Sequence, residues 1–289
     1  MDMIHARALT RHFKVGNETI EAVRGLDLHV EEGELVAFLG PNGAGKSTSL
    51  RMLTTLLPPT SGNATVVGCD VLRDPAGVRQ RIGYVGQGNG AGQDHRARDE
   101  LVTQGYCYGL SRAEANQRAD ELLTSLELAP LARRTAGSLS GGQRRRLDVA
   151  LGLVHRPRLL FLDEPSTGLD PHNRANLWEH ILRMRETYGV TIFLTTHYLD
   201  EADAMAERVL IIDHGQIIAD DTPARLKDDL AGDLIMISAC DEAGARQAAA
   251  IAERITAPHE VKEVKIENTL LSLRVPQGNT VLPEFIRVL

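Results

Sequence analysis

The chain has 289 residues, of which 43% are hydrophobic and 25% charged, and its formal net charge is −7. This length allows one large domain, or a large and a small one, and the composition excludes disordered, collagenous and mini-protein classes. The acidic balance argues against broad nucleic-acid binding. The apolar runs are far shorter than the roughly 18–20 residues of a membrane span, and the first residues do not resemble a signal peptide.

Short buried strands alternate with helical segments along most of the chain. Residues 4–40 are predicted to form strands, and the apolar run Leu35–Leu39, which ends at a glycine, is typical of a central parallel strand. Leu159–Leu162 is a second run of this kind. The alternation predicts an α/β fold with a parallel sheet. Further strands are predicted at 64–67, 82–85, 190–195 and 209–213, and helices at 47–54, about 96–135, 147–154 and 171–188.

After about residue 232 the composition changes, and signals for a strand, a helix and two more strands follow one another. This βαββ order predicts a small α+β domain behind the larger one. We therefore expect a large domain at residues 1–231 and a small accessory domain at residues 232–289. The four predicted elements are Leu234–Ser238, 243–255, Val261–Ile266 and Leu270–Val275.

A glycine-rich loop lies between the strand Leu35–Leu39 and the helix that follows it. Its glycines let backbone N–H groups point into one concavity that cradles phosphate oxygens, and the start of the helix adds a positive end. Lys46 can reach the β- and γ-phosphates, and the Ser47 hydroxyl can ligate Mg²⁺. The loop predicts a nucleoside triphosphate site without choosing among kinase, GTPase and motor classes. It fits G-x-x-x-x-G-K-[ST]-T with Gly40, Pro41, Asn42, Gly43, Ala44, Gly45, Lys46, Ser47 and Thr48.

Two acidic residues follow the second buried strand. Asp163 lies at its carboxyl end, where a carboxylate can hold the Mg²⁺ complex through its water shell. Glu164 is then placed to polarise a water for attack on the γ-phosphate. Strands that end in solvated acids are common, so it is the pairing of these acids with Lys46 that indicates nucleotide hydrolysis.

A second glycine segment, Leu139–Gln143 with the sequence LSGGQ, precedes a predicted helix. The Ser140 hydroxyl and the amides of Gly141 and Gly142 form an anion site at the helix start. A serine N-cap of a basic helix is the simpler interpretation of the same residues. One chain then carries two separate phosphate-binding surfaces, and a twofold pairing of two chains can place each across from the other.

Together these motifs resemble the nucleotide-binding subunit of an ATP-binding cassette transporter, over about residues 4–230. The resemblance also rests on Gln87 in the segment GYVGQ, on Ser166–Asp170 with the sequence STGLD, and on His197 after two threonines. It implies a P-loop NTPase fold with a parallel-sheet core, an antiparallel β subdomain and a helical subdomain. It also implies that ATP and Mg²⁺ lie between the two subunits of a homodimer, where the P-loop of one chain faces Ser140, Gly141, Gly142 and Gln143 of the other.

The resemblance implies roles for individual side chains. His197 donates to the γ-phosphate, and Gln87 contacts Mg²⁺ or the attacking water and reports the nucleotide state to the helical subdomain at about 88–137. Asp170 communicates across the dimer while it caps its helix. Phe13 stands where the family has an aromatic side chain that stacks on adenine, and an ordinary core position is the alternative interpretation. The implied catalytic residues are Lys46, Gln87, Glu164 and His197, and the implied Mg²⁺ ligands are Ser47, Gln87 and Asp163.

The chain departs from the family pattern directly after Gln87. The segment Gly88–Gly92 has the sequence GNGAG, which is unusually rich in conformationally free glycine. We expect it to loosen the link between the ATP site and the helical subdomain.

A complete cassette without a membrane span of its own indicates an ATPase subunit that drives export through a separate membrane protein. The segment 164–171 and the βαββ tail resemble exporters of the daunorubicin-resistance type, which carry drugs and antibiotics. In that group the tail usually continues through further structure, so we expect the small domain, which ends here at Leu289, to be incomplete or shortened. We expect a peripheral subunit on the cytoplasmic face of the cell membrane, bound to integral membrane permease subunits and not to nucleic acid.

Two other classes account for part of the sequence. Cassette ATPases that act on ribosomes or DNA usually carry two cassettes or long coiled-coil insertions. This chain has one phosphate loop and no room for a long coiled coil between Lys46 and Asp163. A metabolic P-loop kinase leaves the LSGGQ segment and His197 unexplained.

Overall fold

The structure is a computed structural model that describes residues 2–16, 18–231, 233–256, 263–275 and 278–288. Contacts between Cα atoms divide the chain into two compact units between Asp220 and Asp221, which is earlier than the predicted boundary after residue 231. None of the helices in these described ranges is long and apolar enough to cross a membrane.

The first unit is built on two β-sheets. Its strands are β1 (Asp2–Val15), β2 (Glu18–Glu31), β3 (Leu35–Leu39), β4 (Ser61–Val66), β5 (Cys69–Asp70), β6 (Ile82–Val85), β7 (Leu159–Asp163), β8 (Thr191–Thr196), β9 (Arg208–Asp213) and β10 (Gln216–Asp221). A four-stranded sheet has the order β2-β1-β4-β5, and its pairs are antiparallel. A six-stranded sheet has the order β10-β9-β3-β8-β7-β6.

The central strands of the larger sheet are parallel and fully buried. Strand β3 pairs in parallel with β8 and β9, and β7 pairs in parallel with β6 and β8. Every residue of β3 and β7 is buried. The Phe193 ring packs between those of Phe38 and Phe161, with centroid distances of 5.6 and 5.7 Å. The predicted α/β fold with a central parallel strand at Leu35–Leu39 is confirmed.

The parallel register brings separate sequence motifs to one edge of this sheet. The carboxyl ends of parallel strands meet at the same edge, where ligands of open α/β sheets bind. Leu39 lies opposite Thr196, and Asp163 lies opposite Thr195. The P-loop follows β3, Gln87 follows β6, and the acids and His197 follow β7 and β8, so these motifs all start from this edge.

The helices of the first unit are α1 (Lys46–Leu53), α2 (Pro75–Arg81), α3 (Ala97–Cys107), α4 (Arg112–Ser125), α5 (Gly141–Leu153), α6 (Pro171–Tyr188) and α7 (Leu199–Met205). Helix α6 matches the prediction at both ends. It begins after Asp170, whose side chain accepts the N–H of Asn173 at 3.0 Å, and it ends at Gly189 in the left-handed conformation. The predicted helical region at about 96–135 holds α3 and α4, which contact each other.

The second unit has its own core. It contains α8 (Pro223–Ala231), β11 (Asp233–Ser238), α9 (Glu242–Thr256), β12 (Glu263–Glu267), β13 (Leu270–Val275) and α10 (Gly278–Val288). The strands form an antiparallel sheet in the order β11-β13-β12. Leu271, Leu273 and Phe285 lie in a hydrophobic cluster with alanines of α9.

The described elements of the second unit follow the predicted βαββ order, although Val261 and Lys262 of the predicted third element lie outside the described residues. Helix α10 was not predicted. It starts at a glycine and carries Pro283 in its interior, and both residue types are helix-breaking signals in a sequence.

Candidate functional site

A cleft opens beside the P-loop at the carboxyl edge of the larger sheet. It joins six residues of the P-loop to Gln87 and Glu164, which are distant in the sequence. Neither Phe13 nor Ser140–Gln143 is among the described residues that line it. The lining residues are Ala22, Asn42, Gly43, Gly45, Lys46, Ser47, Thr48, Gln87 and Glu164.

Two glycines of the P-loop lie where there is no room for a side chain. A Cβ at Gly40 would lie 2.3 Å from the carbonyl oxygen of Ile212. Gly45 has a φ of 107°, and a Cβ there would lie 2.6 Å from the carbonyl oxygen of Ala22. Gly45 is also the N-cap of α1 and gives no side-chain cap. The first N–H groups of α1 therefore remain donors for phosphate oxygens.

The ammonium of Lys46 is buried in the cleft, with 4% of the side chain exposed. Its Nζ donates to the carbonyl oxygens of Gly40 at 2.7 Å and Pro41 at 3.0 Å. The same atom lies 3.4 Å from Oε1 of Glu164. A buried cation is costly unless it is paired and hydrogen-bonded, so these three oxygens hold the charge in the cleft.

Oxygen-bearing side chains meet at the start of α1. Ser47 Oγ donates to Asp163 Oδ1 at 2.9 Å, and Gln87 Nε2 donates to Ser47 Oγ at 3.2 Å. The Thr195 hydroxyl donates to the same Asp163 oxygen at 2.7 Å. Asp163 is 1% exposed, and the two hydroxyl donors stabilise its buried carboxylate.

Glu164 lies between the two basic side chains of the site. Its Oε2 is 3.3 Å from Nδ1 of His197, while Oε1 faces Lys46. Its φ is 46°, a left-handed conformation that is uncommon for a residue with a side chain and recurs at functional sites. Thr195 stabilises this turn, because its hydroxyl and carbonyl oxygens accept the N–H of Glu164 at 3.0 and 3.2 Å.

Ser140 begins α5 as its N-cap. Its Oγ accepts the N–H of Gln143 at 3.3 Å, and Gln143 Oε1 accepts the N–H of Ser140 at 3.0 Å, which forms a capping box. A Cβ at Gly142 would lie 2.5 Å from Oδ1 of Asn173. Asn173 is also held by Asp170. Asn173 therefore links the LSGGQ and STGLD segments within one chain.

Phe13 is half-buried on β1, outside the buried core. The guanidinium carbon of Arg11 lies 4.7 Å from the centroid of its ring. The ring therefore stacks on a cation.

Three side chains that support the site were not predicted from the sequence. Thr195 holds both acids, and its only sequence signal was its position two residues before His197. Arg145 and Asp148, three residues apart on α5, contact the segments around Gln87 and Glu164. Burial lowers the pKa of the Arg145 guanidinium and raises the pKa of the Asp148 carboxyl. Arg145 is the middle one of three consecutive arginines, Arg144–Arg146, and nothing in this run indicates which of them is buried.

The fold and the cleft define a P-loop ATPase with a cassette signature. The sequence profile of the ABC transporter family matches residues 23–167. The chain belongs to this family as an ATP-binding domain, and the predicted resemblance is confirmed.

Similar proteins come from drug-resistance systems. The chain is 43% identical, over 95% of its length and 83% of the relative's, to the daunorubicin/doxorubicin resistance ATP-binding protein DrrA of Streptomyces peucetius. It is 38% identical, over 76% of its length and 70% of the relative's, to the linearmycin resistance ATP-binding protein LnrL of Bacillus subtilis. A dimeric ATP-binding cassette solved in a post-hydrolysis state with ADP and Pi matches with a TM-score of 0.70. That structure is 26% identical and covers 76% of this chain and 99% of its own.

Proposed function

We propose that this ATPase powers the export of a drug, an antibiotic or another amphiphile through a separately encoded membrane permease. Two relatives that match at 38–43% identity are named as ATP-binding proteins of daunorubicin, doxorubicin and linearmycin resistance. The observation that carries the ATP-hydrolysing part of the proposal is the position of Glu164 between Lys46 and His197, beside the hydrogen-bonded pair of Ser47 and Asp163. The subunit then works at the cytoplasmic face of the membrane.

The proposed hydrolysis uses the charge pattern of the cleft. Lys46 and the first N–H groups of α1 bind the β- and γ-phosphates, and His197 donates to the γ-phosphate. Glu164 accepts a proton from the attacking water, for which its carboxylate is held within 3.4 Å of Lys46 Nζ and of His197 Nδ1. Binding the phosphates requires Lys46 to exchange its carbonyl acceptors, Gly40 and Pro41, for phosphate oxygens.

The donor set at the start of α1 fits Mg²⁺, a hard cation that prefers oxygen ligands. The Ser47 hydroxyl contacts both the Asp163 carboxylate and the Gln87 side-chain amide, and these three side chains supply oxygen atoms from three different segments. These residues would hold the ion, which would neutralise charge on the β- and γ-phosphates. Gln87 then links the ion to the segment that leads to α3.

ATP is proposed to bind between two copies of this chain. The Ser140 end of α5 is an exposed helix start that lies outside the lining of the cleft. The amides of Gly141 and Gly142 in its first turn have no partner inside the helix. The γ-phosphate of ATP in one chain's cleft can accept from these groups in the second chain. Asp170, next to this surface, faces the same interface in the proposal.

Membrane co-purification tests the proposed function. The tagged Glu164→Gln variant is purified from detergent-solubilised membranes with ATP, and the bound partner is identified by mass spectrometry. Recovery of a polytopic membrane protein supports the export function, and recovery of ribosomes or DNA instead supports the alternative class. Phosphate transfer from ATP to a small molecule, and not to water, would indicate a kinase.

The export step is tested in cells that express this chain together with that membrane protein. Accumulation of a fluorescent anthracycline should fall relative to cells that express the Glu164→Gln variant. Equal accumulation in both strains, with both proteins present in the membrane fraction, contradicts anthracycline export.

A further inference from the structure

The glycine-rich segment after Gln87 is bound by a side chain of α5. Asp148 Oδ1 accepts the N–H of Gly90 at 2.9 Å and the N–H of Ala91 at 3.3 Å. Asp148 is 4% exposed, and Ala91 is buried. The segment that the sequence predicts to be loose is therefore fastened at its centre to the helix that begins with the LSGGQ segment.

Arg145, one turn earlier on α5, binds the backbone on both sides of the catalytic cleft. Its guanidinium donates to the carbonyl oxygen of Gly86 at 2.7 Å and to that of Pro165 at 2.6 Å, and it reaches the carbonyl oxygen of Asp163 at 3.3 Å. Gly86 directly precedes Gln87, and Glu164 lies between Asp163 and Pro165. A single planar group thus fixes the distance between the Gln87 and Glu164 segments.

Arg145 and Asp148 act from one face of one helix. Residues three apart lie on the same helix face, and Arg145 Nη1 is 3.9 Å from Asp148 Oδ2. The helix packs closely against β6 near Gly152, since a Cβ at Gly83 would lie 2.2 Å from the carbonyl oxygen of Gly152. A shift of α5 therefore moves the Gln87 segment with it.

Burying the side chains of Arg145 and Asp148 costs desolvation free energy. Charged side chains lose solvation when they are buried, and apolar residues of similar volume often stabilise a protein as well or better. Burial accordingly lowers the pKa of Arg145 and raises that of Asp148. The five hydrogen bonds that the pair makes all go to backbone groups of the segments next to Gln87 and Glu164.

We propose that Arg145 and Asp148 are positioning residues that transmit the engagement of the Ser140 end of α5 to Gln87 and Glu164 in the same chain. A phosphate bound at Ser140 fixes α5, and the two side chains then hold the Gly86–Ala91 and Asp163–Pro165 segments in the hydrolysing arrangement. Each chain of the dimer thereby couples the ATP molecule that its Ser140 end contacts to the other ATP molecule, which it hydrolyses in its own cleft. This inference rests on the proposed function of the two phosphate-binding surfaces.

The tests use variants that remove the hydrogen bonds in steps. Asp148→Asn keeps an oxygen acceptor for Gly90 and Ala91, whereas Asp148→Ala removes it. Arg145→Gln removes most of the contacts of the guanidinium. Arg118→Gln is the matched control, because Arg118 is 3% exposed and donates to the carbonyl oxygen of Leu153 on α5 but contacts neither cleft segment.

We expect a split between turnover and nucleotide binding. Asp148→Ala and Arg145→Gln should lower kcat by about tenfold to a hundredfold, since small misplacements of catalytic groups have effects of this size. Their affinity for a fluorescent ATP analogue should stay within about twofold of wild type, because Lys46 and the P-loop are untouched. Asp148→Asn should keep kcat within about threefold of wild type. Arg118→Gln should do the same, even if the melting temperature of this variant falls.

Hydrogen exchange tests the proposal without substituting Arg145 or Asp148. In the Glu164→Gln protein, ATP should slow exchange at Gly90 and Ala91, and adding Ser140→Arg should abolish that slowing while nucleotide still binds. Unchanged exchange on ATP binding, or wild-type kcat in both Asp148→Ala and Arg145→Gln, overturns the inference. Failure of the proposed function would give a different result, namely equal turnover in wild type and in the Glu164→Gln protein.

Discussion

The P-loop and the LSGGQ segment are both glycine-containing turns that start a helix, but their hydrogen bonding differs. The P-loop is closed around its own cation, since Lys46 is buried and donates to carbonyl oxygens of the same loop. Ser140 and Gly141 at the start of the LSGGQ helix are exposed, and the capping box of Ser140 and Gln143 stabilises this end of the helix. In the proposal, the P-loop binds ATP within its own chain, and the Ser140 end of α5 binds ATP that a second chain holds.

This difference separates the two functions of ATP in the proposal. The P-loop end sets affinity, because its donors and its cation are complete in one chain. The Ser140 end sets turnover, because its contact to nucleotide forms only across an interface and is passed on by Arg145 and Asp148. Variants of the two ends should therefore change different measured constants.

The largest expected effect is on the P-loop side. Glu164→Gln should lower kcat by about 10²–10⁴-fold, because the amide cannot accept the proton of the attacking water. ATP affinity should be equal to or higher than that of wild type, since Lys46 loses a competing carboxylate. Phosphate release and nucleotide-analogue titration measure the two constants. Turnover equal to that of wild type would remove Glu164 from its assigned role.

Ser140 can be compared with a second helix-capping serine, Ser111, that lies outside the LSGGQ segment. Ser140 and Ser111 both form capping boxes, on α5 and α4, so Ser140→Ala and Ser111→Ala should each lower the unfolding free energy by about 1 kcal/mol. Only Ser140→Ala should also lower kcat, by about tenfold or more, through the lost phosphate contact. Urea denaturation and phosphate release on both variants check this. Equal kcat values in the pair would reduce Ser140 to a helix cap.

A third prediction concerns His155, which lies just beyond the end of α5 and outside both phosphate-binding surfaces. His155 stacks on Tyr108 at 3.6 Å, its Nε2 lies 2.9 Å from the carbonyl oxygen of Ile82, and burial lowers its pKa from 6.5 to about 4. As the pH falls, His155 becomes protonated in the unfolded chain before it does so in the folded chain. Its contribution to the unfolding free energy is therefore fully present above pH 6.5 and is lost as the pH drops from 6.5 to 4. The loss should be about 2 kcal/mol of unfolding free energy.

The measurement for His155 is urea denaturation at pH 7 and pH 4.5. His155→Gln should flatten the difference between the two pH values relative to wild type. His95→Gln serves as the control, because the His95 side chain is 70% exposed. An equal pH dependence in wild type and His155→Gln would show that the buried imidazole does not titrate in this range.

Local signals in the sequence predicted much of the fold and most of the cleft. Leu35–Leu39 and Leu159–Leu162 were found because strands buried on both faces are continuously apolar. The P-loop, Asp163 and Glu164 were predicted as site residues because phosphate chemistry uses those residue types at strand ends.

What escaped prediction depends on tertiary contacts. Arg145 is one of three consecutive arginines, and only the packing of α5 on β6 selects it for burial. Thr195 was one β-branched residue in a strand of similar ones. Gly88–Gly92 has high backbone freedom as a sequence, but the carboxylate of Asp148, more than fifty residues away, removes that freedom.

ATP-dependent association of the Glu164→Gln protein is the most direct test of the two-surface account. Light scattering after size-exclusion chromatography should give the mass of a monomer without nucleotide and of a dimer with ATP and Mg²⁺. The same protein with Ser140→Arg should bind ATP and stay monomeric. A strictly monomeric Glu164→Gln protein at high concentration with saturating ATP would contradict the account.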